Sequence, residues 1–436
     1  MSEVNLMDRE TALDACRQAM EASTADQTEV LLIAGNNALT RFANNHIHQN
    51  VASSSASVQV RAIIGKRIGV AGGNDLSPEA LADTARRACQ IARLAQPNDE
   101  FISLPGPEPI GFTAEATPAT LAFGPMERAE AVRTVIATAE GASQVASGAF
   151  SVSGAARAIV NSLGVETYET SSGAQLRMVL TGEDSSGYAQ MTSVDVSDID
   201  AASLAATASE KCSLSAGPVG IEPRAYDVIL EADAVADMVF FLIWTAFGAM
   251  SMQEGRSPLA GRLGQKVCGE NITIFDDGSD PRTDASGTDY EGVPKQRLNL
   301  ISNGVAEDIA YDSFTAGREQ GRRSTGHALP APNSIGPLPI NVVVQPGDAT
   351  VEKMIASTNR GLLVTRFHYT NILQPRQSIF TGMTRDGTFL IEDGRIVGGV
   401  RNLRFTQSIL EALSNVEMIS EDGKRDDYVW APAMKI

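Results

Sequence analysis

Histidine is the scarcest useful ligand in this sequence. The 436 residues contain four, His46, His48, His327 and His368, and none falls between Gln49 and Gly326. No helix in that long middle stretch can therefore present the paired imidazoles of a helical zinc site. Cysteine is equally rare: Cys16, Cys89, Cys212 and Cys268 lie far apart with no CxxC pair. That pattern excludes a zinc knuckle and argues against a disulfide framework, so buried free thiols in a reducing compartment are expected. No apolar run reaches the about 18 residues of a membrane span; the longest candidate, residues 235–252, is broken by Asp237, Thr245 and Gly248. Residues 1–20 are polar and charged, without a secretory pattern, and a cytoplasmic location is expected. Positive charge is in deficit, 35 Lys and Arg against 53 Asp and Glu, a formal net charge of −18. Such a surface repels phosphate backbones and anionic lipid, which excludes a broad nucleic-acid or membrane face and leaves peptides and proteins as partners. The phosphate-binding loop motif is also missing, because no Gly-Lys-Ser/Thr follows Gly69–Gly73.

What is present is ordinary globular composition, 43% hydrophobic, with only 5% aromatic and 38 glycines. The length suits two or three domains. Helical spacing of apolar residues predicts a helix over 8–22. Strands are expected at 29–34 and 39–42 around a turn at Asn36-Asn37, and at 58–64 and 68–71 around Gly65. Ser77-Pro78 opens another helix. These elements define a domain over 1–100. A Pro-rich connector, a helix at 126–140, a strand meander with turns at Gly154, Leu163-Gly164, Ser172-Gly173 and Ser185–Gly187, and a helix at 201–212 fill 101–222. The remainder, 223–436, carries an apolar helix at 233–247, a hairpin on Asn303-Gly304, a strand at 340–344, and antiparallel strands over 362–400 with turns at Asp386-Gly387 and Asp393-Gly394. A final helix is expected over 406–415. The expected class is α+β: an N-terminal α/β-sandwich-like layer with an antiparallel sheet, a central meander, and a mostly antiparallel C-terminal β domain with a buried helix.

Three segments carry a family resemblance: TRFANNHIHQNV (40–51), RSPLAGRLGQKVCGENITIFDD (256–277), and residues 352–399 with GLLVTRF and GTFLIEDGRI. Together, and in this order, they resemble the TldD/PmbA family. That family contains zinc peptidases with an HExxxH helix and partner subunits of the TldE or PmbA kind that lack it. The pattern is a heterodimer in which one member holds metal and which acts in peptide maturation and proteolysis. Counting back from Ser257-Pro258 sets Phe240 and Thr245 in place of the two histidines and Phe241 in place of the glutamate. The resemblance thus implies a chain with no catalytic or metal-binding residue of its own, zinc in the partner subunit, and a TldD-type homologue, or a second copy of itself, as partner. It implies a peptide or unfolded protein as substrate. Two alternatives stand beside this: a homodimeric hydrolase with an unidentified site, and a protein-binding regulator of the kind suggested by the family's older label, modulator of DNA gyrase. The apolar run Phe240–Trp244 predicts a helix buried around most of its circumference.

The four histidines remain as peptide-cleft or interface candidates. His46 and His48, two apart, share one face of a strand, either two ligands without a third or simply a polar surface. His327 sits in the glycine-rich stretch RRSTGHALP and is expected to be exposed. His368, in TRFHYTN, lies where the resemblance places the active member's third ligand region. Asp276, Asp277 and Asp280 read as an acidic turn, or as a weak cation site. Cys268 has no histidine near it in sequence and is not expected to act as a nucleophile.

Overall fold

The computed structural model describes residues 6–436. The N-terminal half is built on one antiparallel sheet of β1 (Gln27–Ala43), β2 (His46–Ile64), β3 (Arg67–Gly73), β4 (Val145–Asn161), β5 (Glu166–Thr181) and β6 (Ser186–Ser193). Its strand order is β3-β2-β1-β4-β5-β6, so strands from either side of residue 101 share it. One face is apolar. Val30, Leu32, Val58, Val60 and Ala158 alternate inward and pack beneath α1 (Arg9–Glu21) and α2 (Pro78–Leu94). Further along the same face, Phe150, Leu176 and Met178 lie in a second cluster with residues of α4 (Pro125–Gly141) and α5 (Ala201–Leu214), the short α3 (Pro118–Ala122) preceding α4. Asp8 and Asp200 cap α1 and α5 by accepting backbone N–H groups, whereas Ser77 stands at the N-cap of α2 without a side-chain hydrogen bond and Pro78 opens that helix.

The expected turn at Asn36-Asn37 is not there. β1 runs unbroken through it, and the chain reverses at Asn44-Asn45, both with positive φ (51° and 59°), the two-residue hairpin turn that Asn tolerates. Gly154 and Ser172-Gly173 are likewise mid-strand rather than turns. Their small size serves packing: a Cβ on Gly154 would sit 2.4 Å from Leu121 Cδ2. The turn at Leu163-Gly164 joins β4 to β5 as expected.

Among the described residues the other face of this sheet carries no helix over its central strands, and it is paved with short side chains. Ser53, Asn37, Ser153 and Gly173 form one cross-strand row, and Ser55, Gly35, Ala155 and Ser171 the next. β3 pairs with β2 only over Val58–Ile64, so among the described residues no strand lies beside the outer edge of β2 from His46 to Ser57.

The C-terminal half is an eleven-stranded sheet wrapped over a helix. Its strands are β7 (Asp227–Leu230), β8 (Ile274–Asp276), β9 (Leu298–Ser302), β10 (Val305–Ala306), β11 (Val342–Val344), β12 (Arg360–Gln374), β13 (Ile379–Glu392), β14 (Arg395–Gly399), β15 (Arg404–Ser408), β16 (Met418–Asp426) and β17 (Val429–Lys435). All pairings but β11–β17 and β7–β12 are antiparallel. Helix α6 (Ala232–Thr245) packs on β12, β16 and β17. Val235, Val239, Leu242 and Ile243 enter a core shared with Ile274, Leu300, Ile301 and Val342, each contributing about 1.5–3 kcal/mol. The hairpin at Asn303-Gly304 and the turn at Asp393-Gly394 form as the sequence predicts, with positive φ at all four residues. Asp386-Gly387 instead lies within β13, its buried carboxylate paired with Arg366 and accepting from Ser186 Oγ. The first residues of the expected terminal helix form strand β15, and the helix proper is Ile409–Ser414.

The halves meet through ion pairs. Arg61 Nη2 reaches Glu29 Oε2 at 2.6 Å and Glu291 Oε1 at 3.0 Å. Arg157 pairs with Glu169 and donates to Thr288 O at 2.7 Å. Gly287 rests against the sheet side, where a Cβ would meet Phe112 O at 1.9 Å and Glu169 Oε1 at 2.5 Å.

Candidate functional site

Helix α6 is the element on which the HExxxH positions were expected, and what it presents there is aromatic. The Phe240 ring lies 6.1 Å from Phe241 and 6.0 Å from Trp244, both edge-on, and stacks on Tyr428 at 6.3 Å. Phe241 continues to Phe380 at 5.9 Å. Thr245 is buried, and its hydroxyl donates to Phe241 O at 2.7 Å, the carbonyl one turn back. Phe240 and Phe241 carry no ligand atom and Thr245 offers a single neutral hydroxyl, so these three residues do not supply the imidazole and carboxylate set that holds a divalent metal ion. No group of three His, Cys, Asp or Glu among the described residues is arranged to hold one.

As expected, α6 is buried around most of its circumference, but the aromatic residues of the run itself are not fully covered. Phe240 and Phe241 are half-buried and Trp244 is 38% exposed. The polar break in the apolar run explains this. Asp233 and Asp237, one turn apart, share a face with Phe240, and these three line a cavity of about 240 Å³.

The far wall of the cavity comes from β12 and from the β16–β17 turn. His368 lines it, as do Tyr369, Arg366, Asp426 and Asp427. The structure thus places His368 opposite the Phe240 position. β12 bulges here: its register with β13 slips between His368 and Asn371, and Tyr369 adopts φ 50°, a left-handed conformation costly for a bulky side chain. The bulge turns the Tyr369 ring outward, 78% exposed and 4.2 Å from the His368 imidazole. Strain of this sort persists where the surrounding structure enforces it and clusters at functional sites.

Electrostatics set this cavity apart. Burial pushes the Asp237 carboxyl up to about 6, with Thr370 donating a hydrogen bond against that trend and Asp427 adding to it. Burial, then the neighbouring Asp233, lift Asp426 to about 7, while Arg177 at 3.4 Å pulls it back. Asp233 is held by Lys424 Nζ at 2.6 Å and by Gln190 Nε2 at 2.8 Å. Burial and then Arg385 and Arg366 lower His368, favouring its neutral form. The cavity therefore offers two carboxyls that titrate near neutrality, a neutral imidazole and an aromatic wall. This set can hold polar parts of a peptide.

The other histidines are not brought here. His46 and His48 lie exposed at the start of β2, His46 Nδ1 being 2.9 Å from Asn44 O. His327, expected on the surface, is buried: its Nε2 lies 2.9 Å from Asp276 Oδ1 and its Nδ1 2.9 Å from Thr325 Oγ1. Asp276 also meets Lys295 Nζ at 3.1 Å and accepts from the Asn341 N–H at 2.6 Å. Burial opposes its charge, but Lys295 and His327 hold it well below the usual carboxylate range. With the side chains of Asp276 and His327 at 0% exposure, the cluster is an internal brace and not a cation site. The acidic-turn reading fits Asp277 and Asp280, which cap Ser279 and pair with Arg282. All four cysteines are buried free thiols, Cys268 pushed up to about 12 by burial. Sequence reasoning missed Asp237 and Asp426. The two Asp residues one turn apart in an apolar helix were the available signal.

Comparison with known proteins follows this geometry. Residues 223–436 match the model of the PmbA/TldA metallopeptidase C-terminal domain, and residues 28–92 that of PmbA/TldA metallopeptidase domain 1, together more than half of the chain. An uncharacterized protein of Methanocaldococcus jannaschii is 33% identical over 169 residues, 38% of this chain and 39% of that protein. A metalloprotease of Methanothermobacter thermautotrophicus is 28% identical over 204 residues, 45% of this chain and 43% of its own length. A metalloprotease TldD homolog of Buchnera aphidicola is 28% identical over 179 residues, covering 40% and 36%. The chain thus aligns with only about two-fifths of each of these relatives. The crystal structure of TldE from Thermococcus kodakarensis superposes with a TM-score of 0.88 at 23% identity, over 97% of this chain and 98% of that one. No helix among the described residues is long and apolar enough to cross a membrane.

Proposed function

The chain belongs to the PmbA/TldD metallopeptidase family, and from that premise we propose that it is the non-catalytic, TldE-type subunit, which pairs with a zinc-bearing TldD-type homologue and helps hold its peptide substrate. The observation that carries this reading is the aromatic character of α6: Phe240, Phe241 and Thr245, which the count back from Ser257-Pro258 assigns to the motif positions, are committed to ring packing and a backbone hydrogen bond. A hydrolase relying on this helix would need ligands there. The retained cavity supports a binding role, since it keeps His368 and two near-neutral carboxyls although the ligand positions are filled.

Partner binding has a physical basis in the same region. Tyr369, which lines the cavity, and Trp244 and Tyr428, whose rings lie beside Phe240, expose 78%, 38% and 42% of their surface. Exposed aromatics grouped in this way are the residue types enriched at protein interfaces. The net charge of −18 favours partners and substrates that are not strongly acidic. Zinc would belong to the partner, and no step of hydrolysis is assigned to residues of this chain.

The test is co-expression with a homologue carrying HExxxH, followed by purification through a tag on this chain alone. Stoichiometric co-purification of the homologue, zinc at one ion per heterodimer by elemental analysis, and peptidase activity in the pair only are expected. An isolated chain that binds zinc at one equivalent and cleaves peptides would refute the proposal.

A further inference from the structure

A second and larger cavity, about 430 Å³, lies between the helix-free face of the N-terminal sheet and the loop following β8. It is within the range of sites that take small ligands or short peptides. Its floor is the paved face: Ser151, Ser153 and Ala155 on β4, with Ser171, Gly173 and Gln175 beside them on β5. Short side chains leave the space open. The hydroxyls can donate and accept, so they suit the alternating N–H and C=O groups of an extended backbone. Among the described residues no partner engages the hydroxyls of Ser151 and Ser171, whereas nearby Ser172 and Thr192 are hydrogen-bonded internally.

A paved face alone identifies no ligand. The second observation is Arg425, which lines the same cavity from the end of β16. It is 4% exposed, and its Nε has no hydrogen-bond partner among the described residues. Its Nη1 meets one carboxylate, that of Asp284, whose side chain is 55% exposed on the rim. A buried guanidinium left with an unpaired donor is costly, and the fork it presents is the geometry that takes a carboxylate in two parallel bonds. The other arginine in the lining, Arg157, already places its Nη2 on the Glu169 carboxylate and on Thr288 O.

We infer that this groove binds the carboxylate end of an extended peptide, with Arg425 as its anchor and Asp284 as the internal carboxylate that the ligand displaces. The serine rows then carry the preceding residues, which must have small side chains to lie flat on the floor. That the ligand is a peptide rests on the proposed function; that it is a carboxylate rests on Arg425. Tyr428, which lines this groove and stacks on Phe240, sets it next to the cavity over α6.

Calorimetry on the isolated full chain tests this without the partner. The probes are an Ala/Ser pentapeptide as free acid, the same peptide as its C-terminal amide, and acetate. The free acid should bind at least about tenfold more tightly than the amide. Arg425→Gln should abolish that difference, and Asp284→Asn should tighten acid binding several-fold by removing the competing carboxylate. Ser171→Trp, at an exposed floor position, should block both peptides in a normally folded protein, which keeps the test decisive if Arg425→Gln does not fold. Equal binding of acid and amide, no binding of either, weaker binding in Asp284→Asn, or acetate binding as tightly as the peptide would each overturn the inference. Co-purification of the homologue is unaffected by these results, so this proposal and the subunit assignment fail separately.

Discussion

Replacing Asp276 with alanine strands a charge in the interior. Lys295 is 3% exposed at the side chain, and Asp276 is its carboxylate partner at 3.1 Å. The substitution also frees the His327 Nε2 and the Asn341 N–H, which now make bonds of 2.9 Å and 2.6 Å to Asp276. Removing one member of a buried ion pair costs about 3–5 kcal/mol, most of it from the uncompensated partner. For a cooperative unit of the size of residues 223–436, each kcal/mol lowers Tm by about 2–4 °C, so a fall of roughly 10 °C is expected in calorimetry. Adding Lys295→Met should recover a large part of the loss, because the stranded ammonium goes with it; the double-mutant cycle should show a coupling of about 2 kcal/mol or more. The pH dependence has a fixed sign. The native carboxyl of Asp276 titrates below its unfolded value, so its contribution is whole above about pH 4 and is lost as pH falls through that range. Burial, then Lys295, lower His327 below its unfolded value, so the unfolded chain takes up a proton that the native one refuses. Stability therefore falls further below about pH 6.5. Asp276→Ala should lose the steeper acid limb below about pH 4. A Tm drop under about 2 °C, or a double variant no better than the single, would refute the reasoning.

Three further outcomes are expected. Phe240→His, Phe241→Glu and Thr245→His, combined, should lose about 3–5 kcal/mol in denaturant melts, because the carboxylate introduced at position 241 would face the Phe380 ring, now 5.9 Å from the Phe241 ring; elemental analysis should find no stoichiometric zinc. Asp237→Asn should match the parent in Tm near pH 4 and exceed it by the equivalent of about 1–3 kcal/mol at pH 8, since the native carboxyl at about 6 binds its proton more tightly than the unfolded one. Gly287→Ala should cost about 1–3 kcal/mol and speed proteolysis within residues 279–294, because the added methyl has Phe112 O and Glu169 Oε1 in its place.

Much of the fold could be read from the chain. Helical periodicity located α1, α2, α4 and α6 to within a few residues. The Asn303-Gly304 and Asp393-Gly394 turns followed from the demand for positive φ. Errors arose where small or polar residues had another task. Asn36, Gly154, Ser172 and Gly173 are turn formers by composition, yet they pave or space a sheet whose outward face lacks apolar alternation. Asp386-Gly387 makes a strand irregularity because Arg366 captures the carboxylate. In the site, the absence of histidine between Gln49 and Gly326 is plain from the sequence alone. His327 was misplaced because its partners, Asp276 and Lys295, lie 51 and 32 positions away, and a local composition rich in glycine says nothing about them. Asp237 left a trace, standing one turn from Asp233 in an apolar helix, but the raised proton affinity of Asp237 and Asp426 was not legible, because it comes from walls supplied by distant elements.

The margin of β2 between His46 and Ser57, bare among the described residues, bears on how far that hydroxyl floor extends. Any extended segment hydrogen-bonding there becomes a seventh member of the sheet, and every second side chain it carries points onto the plane already defined by Ser53, Ser55 and Ser57. An assembly formed through this margin would therefore broaden a ligand platform as well as join two chains, and the newcomer's residues would decide what the widened part recognises.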